Sequence, residues 1–231
     1  MTLAQPTPPD SPGASPVYTP AAAPATGAGS LFVVMAPSGT GKTTLVRALL
    51  QARPGMELSV SYTTRAPRDG ERNGVDYHFV DRPEFERRRD AGEFVEWAEV
   101  HGNLYGTSRN WLAQRMAQGH DIVLEIDCQG ARQVAVLFPD AITIFIAPPS
   151  VQALRERLEG RGKDSAEVIE RRIRAAHDEL KQAHRFQYVI INQDFATALA
   201  QLASIVDAAG LRFAKQQARA PALFARLFAS A

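Results

Sequence analysis

A short segment after an apolar run has the residue types of a phosphate-binding loop. The run from Leu31 to Met35 leads into Ala36-Pro37-Ser38-Gly39-Thr40-Gly41-Lys42-Thr43. In such a loop the backbone N–H groups turn toward the phosphates, the lysine reaches the β and γ oxygens, and the next hydroxyl binds Mg²⁺. The sequence therefore predicts a nucleoside triphosphate site.

The residues after the loop strengthen this prediction. Thr44 to Leu50 is predicted to form a helix, whose positive N-terminal end would also face the anion. The loop departs from the usual pattern at Ala36, where glycine is usual and gives more backbone freedom. We expect all residues from Ala36 through Thr44 to contact ATP, with Lys42 in a catalytic role. Thr43 would bind Mg²⁺ together with phosphates and water.

Length and composition are those of an ordinary globular protein. The chain has 231 residues, 45% of them hydrophobic and 22% charged, which suffices for one substantial domain with insertions or two small ones. A net charge of +1 predicts no general attraction to nucleic acid or to an anionic membrane. The single Cys128 cannot form an intrachain disulfide, which together with an ATP site favours the cytoplasm. No apolar stretch is long enough to span a bilayer.

The first thirty residues differ from the rest of the chain. Proline, alanine, serine and glycine dominate there, and large apolar side chains are almost absent. Such a segment cannot bury enough surface to offset its ordering entropy, so we predict a disordered tail over residues 1–30. It lacks the basic start and the apolar centre of a secretory signal. A partner-binding arm is the alternative.

Strand and helix patterns alternate after the tail. Short, β-branched apolar runs predict buried parallel strands at Asp121–Asp127, Ala141–Ile146 and Phe186–Ile191. Helices are predicted at Trp111–Gln118, Val151–Glu159 and Ala166–Ala183. Asp194 is predicted to cap a last long helix with an apolar face of Phe195, Leu199, Leu202 and Val206. The alternation predicts an α/β sandwich with a parallel central sheet.

Two arginine-rich segments interrupt the alternation. Residues 59–107 combine short apolar pieces with turn residues at Asp69-Gly70 and Asn73-Gly74, which predicts a small mixed insert that contains a hairpin. Residues 155–174 predict two helices joined by a turn with Gly160 and Gly162. The glycines would let this second segment close as a lid.

Several motifs now stand in the order found in one family, and from Leu31 to about Ala209 the chain resembles guanylate kinases, which phosphorylate GMP with ATP. The motifs are the phosphate loop and the segments 61–68, 73–77, 93–97, 105–107, 125–130, 146–150 and 157–162. The resemblance implies a three-layer P-loop kinase fold. Its core would comprise residues 31–60, 111–150 and 181–209, with a GMP-binding insert at 61–110, a lid at 151–180 and a C-terminal helical extension at 210–231.

The resemblance also implies a phosphate clamp for GMP. Its members would be Arg65, Arg68, Tyr77 and Tyr105. The chemistry agrees, because a guanidinium fork binds phosphate bidentately and tyrosine hydroxyls can complete the hydrogen bonds of the anion. Solvated surface charge is the alternative for the two arginines.

Ser61, Glu96 and Thr107 are implied to read guanine. A carboxylate can accept hydrogen bonds from N1–H and the exocyclic amine, while hydroxyls can donate to O6; adenine offers the opposite pattern. Glu125 and Asp127 are also assigned to the GMP side. Asp127 would contact the nucleotide or, through water, Mg²⁺, whereas Glu125 could equally be a structural partner for an arginine.

The lid would supply Arg157, Arg161 and Arg172 as catalytic residues around the transferring phosphoryl group. Asn192 matches a family asparagine near the adenine, although a turn or cap role is the alternative.

The predicted activity is direct in-line transfer of the ATP γ-phosphoryl group to GMP, and to dGMP, with Mg²⁺ as cofactor. Three alternatives remain: a kinase for another nucleoside monophosphate, a non-catalytic module that binds phosphopeptides through the arginines, and an NTPase associated with nucleic acid. The expected partners are ATP and GMP, without nucleic acid or membrane. The segment after Gly210 could be a packing helix or a self-association surface, which leaves a homodimer as an expectation.

Overall fold

The computed structural model describes residues 29–100, 102–160, 162 and 164–229. The strands of these residues are β1 (Leu31–Met35), β2 (Met56–Leu58), β3 (Tyr62–Thr63), β4 (His78–Phe79), β5 (Phe94–Val100), β6 (Asn103–Ser108), β7 (Asp121–Glu125), β8 (Ile142–Ala147) and β9 (Tyr188–Ile191). The helices are α1 (Lys42–Ala52), α2 (Arg82–Asp90), α3 (Arg109–Ala117), α4 (Cys128–Leu137), α5 (Val151–Glu159), α6 (Ala166–Leu180), α7 (Phe195–Gly210), α8 (Phe213–Arg219) and α9 (Pro221–Phe228).

A parallel sheet with the strand order β2-β7-β1-β8-β9 forms the centre of the fold. Every residue of β1 is at most 3% exposed, because helices cover both faces of the sheet. Helices α1 and α7 pack on one face through Leu45, Leu49 and Leu202. Helices α3 and α4 cover the other face through Leu112 and Val134. The predicted three-layer α/β sandwich with a parallel sheet is therefore confirmed.

The insert forms a second, mixed sheet with the order β4-β3-β6-β5. Strands β5 and β6 pair as an antiparallel hairpin, whereas β3 and β4 run parallel. Phe85 of α2 packs on Phe94 of β5, with 4.6 Å between ring centroids. Val95 of β5 belongs to the same buried cluster as Val134 of α4, so the hairpin is packed directly against the sandwich.

The predicted lid consists of α5 and α6. Leu154 and Leu158 of α5 pack against Ile169 and Ile173 of α6 in a small separate apolar cluster. Gly162 in the connecting turn has a φ of 61°, which only glycine adopts readily. Its neighbours Arg161 and Lys163 lie outside the described residues.

Several predicted boundaries differ from the observed ones, and capping explains two of them. Helix α1 begins at Lys42 and not at Thr44, because Gly41 serves as its N-cap in a left-handed conformation. Strand β7 ends at Glu125 because Asp127 caps α4. Helix α6 ends at Leu180, and a short 3₁₀ turn precedes β9.

The last predicted helix has the expected cap, and one residue of its apolar face is exposed. Asp194 Oδ1 accepts a hydrogen bond from the Thr197 backbone N–H at 2.8 Å. Leu202 and Val206 are buried as predicted, whereas Phe195 is 42% exposed. Phe195 is the first residue of α7 and lines a surface cavity with Arg157 and Asn192.

The two ends of the described chain bear on the remaining predictions. Most of the predicted tail, residues 1–28, lies outside the described residues. Its last two residues are hydrogen bonded into the fold: the Gly29 N–H donates to the Met116 carbonyl at 2.8 Å, and the Ser30 N–H donates to Asp121. The C-terminal extension forms α8 and α9. None of the described helices combines the length and apolar character that crossing a bilayer requires.

Candidate active site

The loop after β1 has the backbone geometry that an anion site requires. Gly39 and Gly41 have φ values of 93° and 95°. The first hydrogen bond at the start of α1 runs from the Leu45 N–H to the Gly41 carbonyl at 3.1 Å. The N–H groups of the preceding residues at this helix start therefore have no intrahelical acceptor and are available to an anion.

Two features hold the loop in shape. The Thr40 side chain is fully buried, and its hydroxyl donates to the Pro37 carbonyl at 2.6 Å. The Thr40 carbonyl in turn accepts from Asn192 Nδ2 at 2.7 Å. Ala36, the irregular position, packs its methyl group against the main core cluster, so its side chain takes part in core packing.

Lys42 and Thr43 meet a carboxylate at the end of the neighbouring strand. Glu125 Oε2 lies 4.0 Å from Lys42 Nζ and accepts from the Thr43 hydroxyl at 3.1 Å. Glu125 Oε1 is buried and has no hydrogen-bond partner among the described residues. Glu125 lies beside the phosphate loop, because β7 and β1 are adjacent and end at the same edge of the sheet. Burial raises the pKa of Tyr77 in the predicted clamp, and the nearby charge of Glu125 adds to the rise, so the place of Glu125 on the GMP side stays a prediction.

A cavity of about 410 Å³ connects the phosphate loop with the insert. It brings together predicted site residues from the phosphate loop, the insert, the connection after β7 and the lid. These are the loop residues Ala36, Pro37, Ser38, Gly39, Gly41, Lys42, Thr43 and Thr44, the insert residues Ser61, Arg68, Tyr77, Glu96 and Tyr105, then Asp127, and Arg172 of the lid. One cavity is therefore lined by residues predicted to bind each of the two substrates.

Glu96 is the buried carboxylate of this cavity. It is 3% exposed, and its Oε1 accepts from the Thr107 hydroxyl at 2.6 Å. Burial raises the pKa of Glu96 to about 7, although the hydrogen bond from Thr107 acts in the opposite direction, and the charge of Asp127 adds to the rise. The sequence prediction of an enclosed carboxylate is confirmed at this position.

The predicted clamp is assembled around Arg65. Tyr77 lies under the Arg65 guanidinium, 5.3 Å from the ring centroid, and contacts Tyr105 edge to face at 5.9 Å. Arg65 is already paired, since its Nη2 lies 2.9 Å from both carboxylate oxygens of Glu71. The hydrogen bonds from Arg65 keep the pKa of Glu71 below its ordinary value. Glu71 was missing from the predicted site.

Asp127 has a structural role that its sequence position did not reveal. Its Oδ1 accepts from the backbone N–H groups of Gln129 and Gly130 at 3.1 and 2.9 Å, which caps α4. Its Oδ2 accepts from the Gln129 side chain at 3.1 Å. Asp127 therefore lines the cavity with both oxygens already hydrogen bonded.

Two of the predicted catalytic arginines, Arg157 and Arg172, are described and line different cavities. Arg157 Nη2 donates to the Asn192 carbonyl at 2.8 Å. Arg157 also lines a second cavity of about 430 Å³, which shares Gly39, Gly41 and Thr44 with the main cavity and includes Asn192 and Phe195. Arg172 does line the main cavity, where Asp164 pairs with it at 2.8 Å. The third predicted arginine, Arg161, lies outside the described residues.

Glu179 is a further lining residue of the main cavity that the sequence reading missed. Burial raises its pKa to about 7, and the nearby charge of Lys42 opposes that rise. Its position seven residues after Arg172 puts both side chains on one helix face, and that spacing was the available signal.

Comparison with known proteins agrees with this geometry. A family model described as guanylate kinase matches residues 28–209. The chain belongs to the guanylate kinase family. A guanylate kinase from Dechloromonas aromatica is 57% identical over 200 residues, which cover 87% of this chain and 99% of the relative. One from Cupriavidus metallidurans is 55% identical over 86% of this chain and 92% of the relative.

A solved structure supports the same assignment. The crystal structure of guanylate kinase from Anaplasma phagocytophilum matches with a TM-score of 0.69 at 34% identity, covering 82% of this chain and 90% of that one. The guanylate kinase family model ends at residue 209, within α7, so α8 and α9 lie beyond it. All predicted site residues fall inside the matched range.

Proposed function

We propose that this protein is an ATP:GMP phosphotransferase, which transfers the γ-phosphoryl group of ATP reversibly to GMP or dGMP and gives ADP and GDP or dGDP. The observation that carries the proposal is the single cavity that joins the phosphate loop to the buried Glu96 carboxylate. A triphosphate at the loop and a guanine at Glu96 would bring the two reacting phosphates face to face.

The donor site is assigned to the phosphate loop and the second cavity. Backbone N–H groups at the start of α1 and the Lys42 ammonium would hold the triphosphate. Arg157, Asn192 and Phe195 would line the position of the adenosine, since they share a cavity with Gly41 and Thr44. This assignment moves Arg157 from the transferring phosphoryl group to the donor nucleotide.

The acceptor site is assigned to the insert. Arg65, Arg68, Tyr77 and Tyr105 would bind the GMP phosphate, which would compete with Glu71 for the Arg65 guanidinium. The Arg65–Glu71 pair is partly buried, so Arg65 needs an anionic acceptor, and a phosphate dianion would take the place of the carboxylate.

Guanine recognition is assigned chiefly to Glu96. Its Oε1 is engaged by Thr107, so Oε2 is the oxygen that remains for the N1–H and amine of guanine. Thr107 thereby becomes a residue that orients the carboxylate, since its proton is already used. The Ser61 hydroxyl, which also lines the cavity, is assigned as the donor to O6.

The transfer itself requires positioning and positive charge, and no general base. The GMP phosphate is already an anion near neutral pH, so its oxygen can attack the γ-phosphorus directly. Lys42, Arg172 and the N-terminal end of α1 would neutralise the charge that spreads over the phosphoryl oxygens. Closure of α5 and α6 would exclude water and bring Arg172 nearer, and Arg161 is proposed to join it there.

Mg²⁺ is proposed as the cofactor, and the residues present fit it. Among the described residues, no cluster of three or more His, Cys, Asp or Glu could hold a metal. Mg²⁺ often takes few protein ligands and keeps several waters. The Thr43 hydroxyl and the unpartnered, buried Glu125 Oε1 supply oxygen ligands beside the triphosphate, directly or through water. When bound, the metal neutralises phosphate charge; Asp127 is assigned to its outer water shell.

The remaining partners are proposed from charge and surface. A net charge of +1 supports the absence of a nucleic-acid partner, and ATP use supports a cytoplasmic location.

Self-association is proposed through α8 and α9, where Phe213, Leu227 and Phe228 are about 60% exposed. Light scattering should give a dimer mass for the full chain and a monomer mass for a chain ending at Gly210. Equal states for both would refute this surface.

An acceptor assay tests the function as a whole. With ATP and Mg²⁺, GMP and dGMP should give ADP at rates far above those with AMP or UMP, because only guanine presents two adjacent donors to Glu96. A higher rate with AMP or UMP would mean that the protein is a kinase for a different nucleoside monophosphate. Absence of turnover with all four, together with tight GMP binding, would favour a non-catalytic module, and stimulation by RNA or DNA would favour an NTPase.

Substituting Lys42 tests the donor half. Lys42→Met should lower kcat by about 10²-fold or more, because it removes a charge that stabilises the transferring phosphoryl group. Lys215→Met, at a lysine remote in sequence from the loop, is the control and should keep kcat. Circular dichroism should give the same fold for both variants. A near-normal kcat for Lys42→Met would remove this lysine from the mechanism.

The raised pKa of Glu96 predicts a pH effect on GMP binding. Only the ionised carboxylate can accept from both guanine donors, so the KM for GMP should rise as the pH falls through about 7, by up to about tenfold per pH unit. The KM for ATP should not follow this trend. Glu96→Gln is the matched control, because it keeps the shape of the side chain and leaves the titration of the GMP phosphate in place. If the KM for GMP rises with falling pH as steeply in Glu96→Gln as in the parent, Glu96 is not the source of the pH effect.

A further inference from the structure

Gly130 is the third residue of α4 and lies directly against Glu96. A Cβ atom at this position would stand closer than 3.0 Å to Glu96 Oε2, a separation that real Cβ atoms essentially never show, and 3.0 Å from Glu96 Cδ. Gly130 is buried, so a side chain there could not turn toward solvent. The carboxylate oxygen that remains for guanine therefore occupies the space of the missing side chain.

The backbone itself does not require glycine here. Gly130 is not among the described glycines with positive φ, and the nearest other atom to the added Cβ is Ile126 Cβ at 3.4 Å, an ordinary contact. Glycine in a helix costs about 1 kcal/mol relative to alanine. Within the described part of the chain, the only neighbour that explains the glycine is the Glu96 side chain.

Helix α4 is anchored, so an added methyl group would move the carboxylate and not the helix. Asp127 caps the helix through the Gly130 N–H at 2.9 Å. Gln133 forms two hydrogen bonds with the backbone of Trp97, the residue after Glu96, at 2.7 and 3.2 Å. Val134 is fully buried in the core. The movable part of the contact is the end of the Glu96 side chain, which Thr107 holds through its hydroxyl at 2.6 Å and through its backbone N–H.

We propose that Gly130 is a specificity-determining positioning residue, whose lack of a side chain lets Glu96 Oε2 stand where it can accept from guanine. Gly130 would not touch the nucleotide's reacting atoms and would act only through Glu96. The inference rests on the proposed guanine-reading role of Glu96. It makes the start of α4 part of the base-recognition site.

The test is Gly130→Ala. The KM for GMP should rise about tenfold or more, as displacement of a recognition group by about 1 Å typically causes, while the KM for ATP stays constant. The preference in kcat/KM for GMP over inosine monophosphate, which lacks the exocyclic amine, should narrow. Gly210→Ala is the matched control: Gly210 ends α7, and the atoms nearest to an added Cβ are 3.6 Å away, in the flexible Arg219 side chain. All constants should be unchanged there.

A double-mutant cycle with Glu96→Ala separates this inference from the proposed function. Glu96→Ala removes the carboxylate and leaves room for the methyl group, so adding Gly130→Ala in that background should not change the KM for GMP further. An equal rise in both backgrounds, or no rise in the single variant, would overturn the inference. If Glu96→Ala alone leaves GMP use and preference unchanged, the guanine-reading role fails instead.

Folding supplies the second readout. Thermal unfolding should leave the melting temperature of Gly130→Ala at or above that of the parent, since the flexible carboxylate can yield and alanine favours the helix. If Gly130→Ala fails to fold alone but folds in the Glu96→Ala background, the contact between the methyl group and the carboxylate is still established. Failure to fold in both backgrounds would mean that another neighbour requires the glycine, which contradicts the proposal.

Discussion

The position of β1 in the centre of the parallel sheet is the constraint on which the site depends. Its neighbours on either side are β7 and β8, and all of its residues are at most 3% exposed. The chain must therefore leave β1 at the carboxyl edge of the sheet, between the ends of two other strands, where ligands bind in folds of this kind. The meeting of Lys42 and Thr43 with Glu125 follows from this register, because Val34 is aligned with Glu125.

The start of α4 connects this donor half to the acceptor half. Asp127 ends the connection from β7 and caps the helix, and three residues later Gly130 lies against Glu96 of the insert. Gln133 then fixes the helix to the backbone of β5. The start of α4 therefore sets the distance between the phosphate loop and the Glu96 carboxylate. Because the chain runs from β7 into α4 through a short connection, this distance is hard to change.

Local patterns made part of this architecture predictable. The phosphate loop is a continuous motif, and alternating apolar runs identified the sheet and the order of its elements, because burial on both faces imposes continuous apolar strands. The surroundings of Arg157 could not be predicted, because sequence spacing does not say that α5 packs against the loop, where Arg157 meets the Asn192 carbonyl. Glu71 and Gly130 were missed because their partners, Arg65 and Glu96, are fixed only by tertiary packing.

The pairing of the cations explains how the protein tolerates so much positive charge around one cavity before any substrate binds. Arg65 is held by Glu71, Arg172 by Asp164, and Lys42 lies near Glu125. Each partner reduces the repulsion between its cation and the others. These pairs are partly buried, so each cation needs an anionic partner to offset its desolvation. A phosphate that offers a bidentate, doubly charged acceptor can therefore replace the carboxylate, so binding would exchange partners without having to build the site anew.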